Sequence, residues 1–583
     1  MSALASFESL LQRLIGSSSG STYTLSRWIF LRAVGVIFLI AFVSLWVQIK
    51  GLIGSQGILP ARELLATVQA QFGGERYRIL PTVFWLGSSD AALQFACALG
   101  AVCAALLIAD VAPGPMLVML WLLYLSLTVV GRDFLSFQWD VLLLETALLA
   151  LFLAPWRVLP ARSETAVPAL GLLLLWWLLF RLTFASGVVK LTWHDPTWHN
   201  LTALDYHYWT QPLPTWTAWY MSHLAEWVKR ASVLVTLVLE IGFPLLLFGT
   251  RTMRLIGCAG IVLMQLLIVT TGNYNFFNLL TLALAGLLLD DRAWSRLLPE
   301  AVVRWVAGPN VAALEARGLG LVGTVLAVLL FGTRTMRVIG YAGIVLMQLL
   351  IVTTGNYNFF NLLTLALAGL LLDDRVWSRV LPEAVVRWVA GPNAAALEAR
   401  GLGVVGTVLA VLLFALASVR FVQALRPGGG GFGPLAWLDS FRSVNGYGLF
   451  RVMTTTRREI VVEGSDDGTT WRAYEFRYKP GDPMRRPGFV EPHQPRLDWQ
   501  MWFAALSPYE VTYWFQEFLT RLLQGSPAVL GLLRTNPFPD HPPKYVRADL
   551  YDYHFTSPAE RRKTGAWWTR TYVGPYSPVL SLQ

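Results

Sequence analysis

Residues 28–47 read WIFLRAVGVIFLIAFVSLWV, an apolar run with a single charge at Arg32. At ~1.5 Å per helical residue, this run is long enough to cross the roughly 30 Å of hydrocarbon in a bilayer. Because a backbone amide inside a bilayer finds no water partner, such a run must be helical. Residues 1–27 carry no short apolar core followed by a small-residue cleavage site. We therefore predict a retained helix rather than a removable signal.

Further apolar runs follow, each bounded by glycine, proline or a charged residue. They cover residues 91–111, 116–131, 140–155, 167–189, 232–248, 254–272 and 275–289. Of the 583 residues, 55% are hydrophobic and 14% are charged, a balance far more apolar than that of a soluble protein. The sequence therefore predicts a polytopic α-helical membrane bundle of about 8–12 apolar helices, with an internal repeat included.

The internal repeat consists of two adjacent copies. Gly249–Phe331 and Gly332–Phe414 align without gaps over 83 residues, and 77 of these positions are identical. Copies this similar have not diverged toward separate roles, so we interpret them as a recent tandem duplication without a function of its own, or as an assembly error in the underlying gene. Each copy holds three apolar runs, and an odd number of added spans would invert the second copy. We therefore expect one repeated helix to lie in the membrane interface, or the second copy to be poorly integrated.

The character of the sequence changes after the last apolar helix, which we expect to end over residues 415–425. Residues 426–434, RPGGGGFGP, have the composition of a flexible linker. Beyond it, Glu459–Glu463 and Trp471–Tyr478 are separated by an Asp-Gly pair that suits a positive-φ turn. This pattern predicts a β-hairpin.

The C-terminal domain is predicted to combine a β-sheet with flanking helices. Residues 497–506 and 509–523 have helical patterns. Tyr474, Phe476 and Tyr478 fall on one face of their strand by its period of two, which predicts a half-buried sheet. The predicted organisation, in chain order, is an N-terminal segment (1–27), a transmembrane bundle (28–248) with an aromatic extramembrane loop (191–231), repeat copy 1 (249–331), repeat copy 2 (332–414), the end of the last helix (415–425), a linker (426–434) and a soluble α+β domain (435–583).

Composition also limits the classes of function. Lys and Arg number 46 against 36 Asp and Glu, and the resulting net charge of +10 contains no basic run that would grip phosphates. Nucleic acid is therefore not an expected partner. The three cysteines, Cys97, Cys103 and Cys258, lie inside apolar runs, and no CxxC motif is present. We expect neither a disulfide framework nor a thiol-exchange mechanism.

Charged side chains inside the apolar runs are candidates for function, because an unpaired charge in a bilayer costs several kcal/mol. An alternative is that Arg181 pairs with Asp140 or Glu145 as a structural contact. Lys190 lies near the end of its run, so the corresponding structural alternative is that its ammonium extends to the membrane–water interface. An ion or substrate route, as in a transporter, is a further alternative. The charged cluster comprises Asp140, Glu145, Arg181, Lys190 and Glu240.

Four histidines occur within the aromatic loop. His194, His199, His207 and His223 include no pair at a spacing of three or four residues, so a metal site is not predicted. Asn200–Thr202 forms a glycosylation sequon, which matters only if this loop faces a eukaryotic lumen.

Three passages together resemble the lipase maturation factor family. The first is LSFQWD at 135–140, followed by Glu145, and the second is RLTFASGVVK at 181–190. The third joins FRSVNGYGLFR at 441–451 to DWQMWF at 498–503. Each passage alone is a weak signal, but the combination is specific. The near-identical repeat departs from the family pattern.

This resemblance implies a membrane-resident factor that helps lipases reach a folded, assembled and active state. It implies a location in the endoplasmic reticulum membrane of a eukaryote or the inner membrane of a bacterium, with the C-terminal domain lumenal or periplasmic. The expected partners are the lipid bilayer and lipase clients, and neither catalytic residues nor a cofactor follow from it. The client would be bound through apolar contacts. The candidates for this contact are Tyr474, Phe476, Tyr478, Trp499, Trp502 and Phe503.

A second likeness concerns Lys190. The sequence SGVVK at 186–190, followed by an aromatic and His-bearing loop, is similar to the transmembrane domain shared with vitamin K-dependent gamma-carboxylases. In those enzymes a lysine in a matching context is part of the catalytic apparatus. A membrane-embedded enzyme that uses Lys190 as a base is therefore the alternative to a non-enzymatic factor.

Overall fold

The computed structural model describes residues 24–158, 167–248, 251–269, 280–281, 283–285, 287–288, 403–426, 433–491 and 493–582. These residues form a helical bundle followed by an α+β domain. Most of the N-terminal segment, most of the linker and most of the two repeat copies lie outside the described residues. The described part is sufficient to place every charged residue singled out above.

The bundle is built from long apolar helices. In chain order they are α1 (Thr24–Trp46), α2 (Asp90–Ile108), α3 (Pro113–Val130), α4 (Gln138–Ala150), α5 (Ala169–Thr192), α6 (Glu226–Leu237), α7 (Arg251–Val269) and α8 (Gly403–Ala424). Within the described residues, five helices are long and apolar enough to cross a membrane: Asp90–Ile108, Pro113–Val130, Ala169–Thr192, Glu226–Phe248 and Val405–Ala424. Shorter apolar helices cover Phe30–Trp46 and Ile256–Gln265. The predicted class, a polytopic helical bundle with a soluble domain, is confirmed.

The apolar run predicted over residues 140–155 does not form a spanning helix. The helix there, α4, has 13 residues and ends at Ala150, so at ~1.5 Å per residue it is only about 20 Å long. Pro155 follows the end of this helix and cannot donate a helical hydrogen bond. A helix is present at this position as predicted, but it covers only part of the apolar run, and α4 is a short helix enclosed by its neighbours.

Small residues bring the first two long helices close together. A Cβ atom added to Gly100 of α2 would lie 2.3 Å from the Phe42 ring of α1. One added to Gly35 of α1 would lie 2.8 Å from Ile108 Cγ1. Glycine at these two positions therefore permits a helix contact that dispersion and close packing stabilise within a membrane.

Short helices occupy the connections on one side of the bundle. Ile49–Ile53, Ala61–Phe72 and Arg76–Ile79 lie between α1 and α2, and Pro196–His199, Ala203–Thr210 and Trp216–Ser222 form the aromatic loop between α5 and α6. Gln48 follows α1 and Lys190 is near the end of α5, and both donate to carbonyls of the domain or of the chain leading into it. The C-terminal domain therefore covers this face of the bundle.

The domain contains a four-stranded antiparallel sheet with the order β2-β1-β3-β4. The strands are β1 (Arg458–Ser465), β2 (Arg472–Ala473), β3 (Tyr545–Phe555) and β4 (Trp568–Pro575). The predicted hairpin is present, with Glu463 opposite Ala473 and Gly468 at φ +75° in the turn. Its second strand is only two residues long. The strands β3 and β4 complete a sheet that the hairpin alone did not predict.

Helices flank this sheet as expected. The predicted segments 497–506 and 509–523 correspond to α9 (Arg496–Ala504) and α10 (Tyr513–Leu523). Short helices follow at Pro527–Leu530 and Pro558–Thr564. On α10, Phe515, Phe518 and Leu519 are fully buried, so this helix closes the core of the domain.

Candidate functional site

Buried ionic groups from the bundle meet the C-terminal domain along one interface. The chain that enters the domain, residues 441–453, runs across the ends of the bundle helices and is here called the junction segment. Three carboxylates of the bundle, Asp140, Glu145 and Glu240, are each paired with a cation at this interface. Taking charges out of water is costly unless each is paired and hydrogen-bonded. These contacts therefore constrain the position of the C-terminal domain relative to the bundle.

The first group joins α4 to α9. Arg496 donates from Nη1 to Asp140 Oδ2 at 2.6 Å and from Nη2 to Asp140 Oδ1 at 2.8 Å. The Tyr124 hydroxyl of α3 donates to Asp140 Oδ1 at 2.5 Å. Both charged residues are at most 1% exposed. This planar, two-point geometry is the strongest form of carboxylate recognition by arginine.

The second group surrounds Glu145 of α4. Arg181 of α5 donates from Nη2 to Glu145 Oε1. The other carboxylate oxygen accepts from the Asn445 backbone and side-chain amides, both at 3.0 Å, and from the Tyr447 hydroxyl at 2.7 Å. Arg181 also donates to the Asn445 carbonyl at 3.1 Å. Two residues of the junction segment therefore complete an ion pair that begins inside the bundle.

The third group centres on Lys190 of α5. Its ammonium donates to Glu240 Oε2 at 2.7 Å, to the Ser186 carbonyl at 3.0 Å and to the Leu449 carbonyl at 3.1 Å. An ammonium has three hydrogens to donate, and all three have an acceptor here. Lys190 is 1% exposed. The expectation that its ammonium extends into the water at the membrane surface is therefore wrong.

A local irregularity of the backbone positions Glu240. The helix that starts at Glu226 widens into a π-turn at Val238–Gly242, a feature that often occurs at functional sites. A Cβ atom added to Gly187 of α5 would lie 2.9 Å from the Glu240 Cβ. The absence of a side chain at Gly187 therefore lets α5 approach the π-turn closely enough for Lys190 to reach its partner.

The aromatic loop is fastened to the domain through Arg457. This guanidinium donates to the carbonyls of Trp209 and Pro212, each at 2.9 Å, and to that of Gln211. It also pairs with Glu459 at 2.7 Å, and Glu459 pairs in turn with Lys479 at 2.9 Å. Burial lowers the pKa of Arg457, and the Glu459 charge opposes this effect. Three backbone carbonyls of the loop therefore accept hydrogen bonds from a buried cation.

A further contact involves the end of α1. The Ser44 hydroxyl lies 3.1 Å from His493 Nδ1, and Gln48 donates to the Gln494 carbonyl at 2.7 Å. The Arg496 backbone amide donates to Gln48 Oε1 at 2.9 Å. Burial, together with the nearby Arg496 and Arg477 charges, lowers the pKa of His493 to about 4. His493 is therefore neutral at physiological pH.

The structure brings all five predicted charges to one interface, and it places Arg181 beside Glu145, one of the two partners considered for it. Arg181 pairs with Glu145, whereas Asp140 pairs with Arg496 from the domain. Lys190 and Glu240 form the third pair. Sequence reasoning missed Arg496, Asn445 and Tyr447 as partners, because their pairing depends on contacts across hundreds of residues. The family-like passage at 441–451, which contains Asn445 and Tyr447, was the available signal.

The candidate client-contact residues differ in exposure. Tyr474, Phe476 and Trp499 are each 3% exposed and belong to the core, so they present no surface to a client. The Trp502 ring is partly buried, and its Nε1 donates to the Thr210 carbonyl of the aromatic loop at 2.8 Å. Tyr478 is also partly buried. Of the six candidates, only Phe503, at 41%, is an exposed side chain.

The histidines of the aromatic loop make separate contacts. The His207 ring meets Phe450 edge-on at 5.2 Å, and the His223 ring lies 4.4 Å from Trp219. Burial and, to a smaller extent, the Lys190 charge together lower the pKa of His207 to about 4. Within the described residues, no group of three His, Cys, Asp or Glu side chains is arranged to hold a metal ion. The three cysteines are buried and unbridged.

Comparison with known proteins identifies the family. A family model for the lipase maturation factor transmembrane domain matches residues 25–296 and 302–379, and one for the lipase maturation factor C-terminal domain matches residues 443–578. The chain belongs to the lipase maturation factor family. Lipase maturation factor 2 of Homo sapiens is 40% identical to it over 96% of this chain and 83% of its own length.

More distant members of the lipase maturation factor family also match. Lipase maturation factor 1 of Bos taurus is 32% identical over 96% of this chain and 90% of its own length. Lipase maturation factor 2 of Gallus gallus is 39% identical over 95% and 81%. No solved structure matches the chain. The family resemblance predicted from the three sequence passages is confirmed, and the likeness to gamma-carboxylases stays a prediction.

Proposed function

We propose that this protein is a membrane-resident maturation factor that helps secreted lipases reach a folded, assembled and active state. The observation that carries the proposal is the match along nearly the whole chain to curated proteins named Lipase maturation factor 1 and 2, in both the transmembrane and the C-terminal domain. The buried Asp140–Arg496 pair between the bundle and the domain, and the hydrogen bonds from the junction segment to Glu145, support a single working unit rather than a tethered domain.

The client would be bound by the outward end of α9. The same helix contributes Arg496 and Trp499 to the interface with the bundle, while Phe503 near its end and Leu506 just beyond it are 41% and 44% exposed. A lipase that has not finished folding exposes apolar surface, and covering it stabilises the complex by ~25 cal/mol per Å². An apolar contact held next to the bilayer would cover such surface until the client buries it internally.

The proposed location is the endoplasmic reticulum membrane of a eukaryote, with the domain in the lumen, or the inner membrane of a bacterium, with the domain in the periplasm. Asn200 of the sequon is exposed on the aromatic loop, on the same face as the domain. If the protein is expressed in eukaryotic cells, glycosylation at Asn200 is expected. Loss of the corresponding mobility shift in Asn200→Gln would support the assignment, and a wild-type chain without glycan would contradict it.

The proposed activity requires no chemistry at Lys190. All three hydrogens of its ammonium have acceptors within the protein, and its anionic partner is Glu240. A base must present an accessible lone pair to its substrate, whereas the Lys190 nitrogen is surrounded by three acceptors of the protein itself.

Deletion of the gene tests the proposal. In the deletion strain, lipase transcript and protein should remain present while the specific activity of the secreted lipase is low. The wild-type gene should restore it, and a Phe503→Ser, Leu506→Ser double variant should not. Tyr572→Ser, which changes an aromatic residue 55% exposed on β4, serves as the matched control. Normal lipase activity in the deletion strain would refute the proposal.

A further inference from the structure

The connection between α1 and α2 presents two arginines on one short helix, Arg76–Ile79. The guanidinium carbon of Arg76 lies 5.4 Å from the centre of the Trp85 ring, and that of Arg78 lies 5.4 Å from the centre of the Trp437 ring. Arg76 also donates to the Tyr77 hydroxyl at 2.7 Å. An aromatic face attracts a guanidinium without neutralising it, so the two charges are held in place and remain uncompensated by these contacts.

The carboxylates near these arginines do not neutralise them. In the part of the chain that the structure describes, neither Arg76 nor Arg78 forms a salt bridge with a carboxylate, whereas Asp439, two residues after Trp437, is paired with Arg420. The segment of residues 72–86, here called the basic segment, contains one acidic residue, Glu75, against the two arginines. The basic segment therefore carries a net charge of +1 from these three residues.

Both indoles belong to chain that lies against the side of a membrane helix. The Val83 amide, two residues before Trp85, donates to the Ser126 hydroxyl of α3 at 3.0 Å. Ser126 lies about 6 Å before the end of α3 at Val130, at ~1.5 Å per residue. Because α3 is long and apolar enough to span the membrane, the basic segment extends to the depth of the bilayer.

The chain that carries Trp437 reaches at least as deep. The Trp121 indole of α3 donates to the Ser443 hydroxyl at 2.9 Å, and its ring is stacked on Phe441, with 6.5 Å between the ring centres. Trp121 lies about 14 Å before the end of α3, by the same rise per residue. The two indoles therefore place Arg76 and Arg78 beside the bilayer rather than in the water above it.

The side chains around the two arginines suit a lipid surface. Leu86 is 94% exposed on the protein, Tyr77 56% and Trp437 38%. Tyrosine and tryptophan are enriched at the level of the lipid headgroups. A cation beside hydrocarbon is costly unless an anion meets it, and the anion that a bilayer supplies at this level is a headgroup phosphate. Arginine also matches phosphate well, because its planar fork donates two parallel hydrogen bonds.

We propose that Arg76 and Arg78 bind the phosphate of an anionic phospholipid, whose acyl chains lie along Leu86. A phosphodiester headgroup without a cation of its own carries one negative charge and compensates the net charge of the basic segment. A phosphatidylcholine headgroup would instead place a quaternary ammonium beside two guanidinium groups. This site is independent of lipase maturation, since its binding is measured on the protein alone.

The test measures equilibrium binding of radiolabelled dioleoylphosphatidylglycerol to the full-length protein in detergent. The wild type should bind it saturably. Arg78 is exposed, so Arg78→Gln should leave the melting temperature without lipid unchanged, while affinity falls about tenfold, the effect of one charge-assisted hydrogen bond. The Arg76→Gln, Arg78→Gln double variant should bind still more weakly. Arg62→Gln is the matched control, because Arg62 is an exposed cation of the same connection outside the basic segment, and its affinity should be unchanged.

Four results would overturn the proposal. The first is no saturable binding by the wild type. The second is equal affinity for dioleoylphosphatidylcholine or for dioleoylglycerol, which has the same chains without the phosphate. The third is displacement of the lipid by inorganic phosphate, which would indicate a site for a free anion. The fourth is equal affinity in the wild type and the double variant. If the double variant does not fold, Arg78→Glu should abolish binding, and Arg62→Glu should not.

Discussion

Arg496 of the C-terminal domain holds both carboxylate oxygens of Asp140 of the bundle, at 2.6 and 2.8 Å. Neither side chain is more than 1% exposed. A bond of this kind does not tolerate displacement, because a shift of the domain would leave a charge on each side without a partner in a region that excludes water. The two domains of this protein are therefore expected to move as one body.

Removal of one member of this pair should be strongly destabilising. Arg496→Ala leaves the Asp140 carboxylate buried and without its cation, a change that costs about 3–5 kcal/mol in comparable cases. The measurement is thermal unfolding of the purified protein in detergent. Arg472→Ala is the control, since the Arg472–Asp466 pair is 48% and 38% exposed and such pairs contribute at most about 1 kcal/mol. Equal effects of the two substitutions would contradict the assigned role of Arg496.

The Lys190–Glu240 pair separates a structural from a chemical role. Lys190→Met alone should lower expression and stability, because it leaves Glu240 buried and unpaired. In the Lys190→Met, Glu240→Gln double variant no uncompensated charge remains, so expression and restoration of lipase activity should recover. A well-folded double variant without activity would show that Lys190 takes part in chemistry, as the gamma-carboxylase likeness suggests.

Arg457 should control the order of the aromatic loop. Its guanidinium donates to carbonyls at Trp209, Gln211 and Pro212. Arg457→Lys keeps the charge but cannot reach three separate acceptors with the same fork, so the loop should be cleaved by chymotrypsin, after its aromatic residues, several times faster than in the wild type. Arg458→Lys changes the adjacent residue and should leave the rate unchanged. An unaltered rate in Arg457→Lys would indicate that the loop is held by its aromatic contacts alone.

Stability should decrease in mild acid because of His493. Its pKa is about 4 in the folded protein against 6.5 for an exposed histidine. Above pH 6.5 both folded and unfolded states are neutral at this position, and between pH 6.5 and 4 only the unfolded state takes up the proton. The melting temperature should therefore fall from pH 7.5 to pH 5.

His493→Gln should reduce that pH dependence. Part of it should remain, because burial also lowers the pKa of His207 to about 4. His541→Gln, at a side chain 63% exposed, should leave the dependence as in the wild type. A His493→Gln protein with the full pH dependence would exclude His493 as its origin.

A single copy of the repeat should be sufficient. Deletion of residues 332–414 joins Phe331 to Ala415 and rebuilds α8 with one change, Leu321 in place of Val404. Lipase activity should be retained. The C-terminal domain should also lie on the same side of the membrane as in the wild type. Deletion of residues 249–331 instead places Tyr341 where the fully enclosed Cys258, 2% exposed, now lies. That protein should be less stable, since a larger side chain overpacks the site.

The sequence predicted the bundle because apolar length is a local property, and it predicted the family from three short passages. It also identified the charged residues of the interface, since the cost of a charge in hydrocarbon does not depend on the fold. It did not predict that Arg496 pairs with Asp140, because that contact joins helices far apart in the chain. The strands β3 and β4 were missed, as strand patterns with exposed faces are weak local signals.

Burial also explains the errors among the candidate contact residues. Aromatic residues at helical or strand spacing suit either a core or a binding surface, and the sequence alone does not separate the two. Trp499 faces the bundle because Arg496, one turn earlier on α9, is fixed to Asp140. Phe503 lies one turn later and reaches the surface.

The spacing between Asp140 and Arg496 also bears on how the protein is made. The two residues are 356 positions apart, so the acidic helix is synthesised long before the ribosome delivers its cation. Until then, Asp140 lacks its cation, although Glu145 of the same helix already has Arg181, and α4 is too short to span the bilayer unaided. Final seating of α4 is therefore a late, post-translational event, and a nascent chain arrested before residue 496 displays an unfinished bundle that cellular surveillance can recognise and degrade.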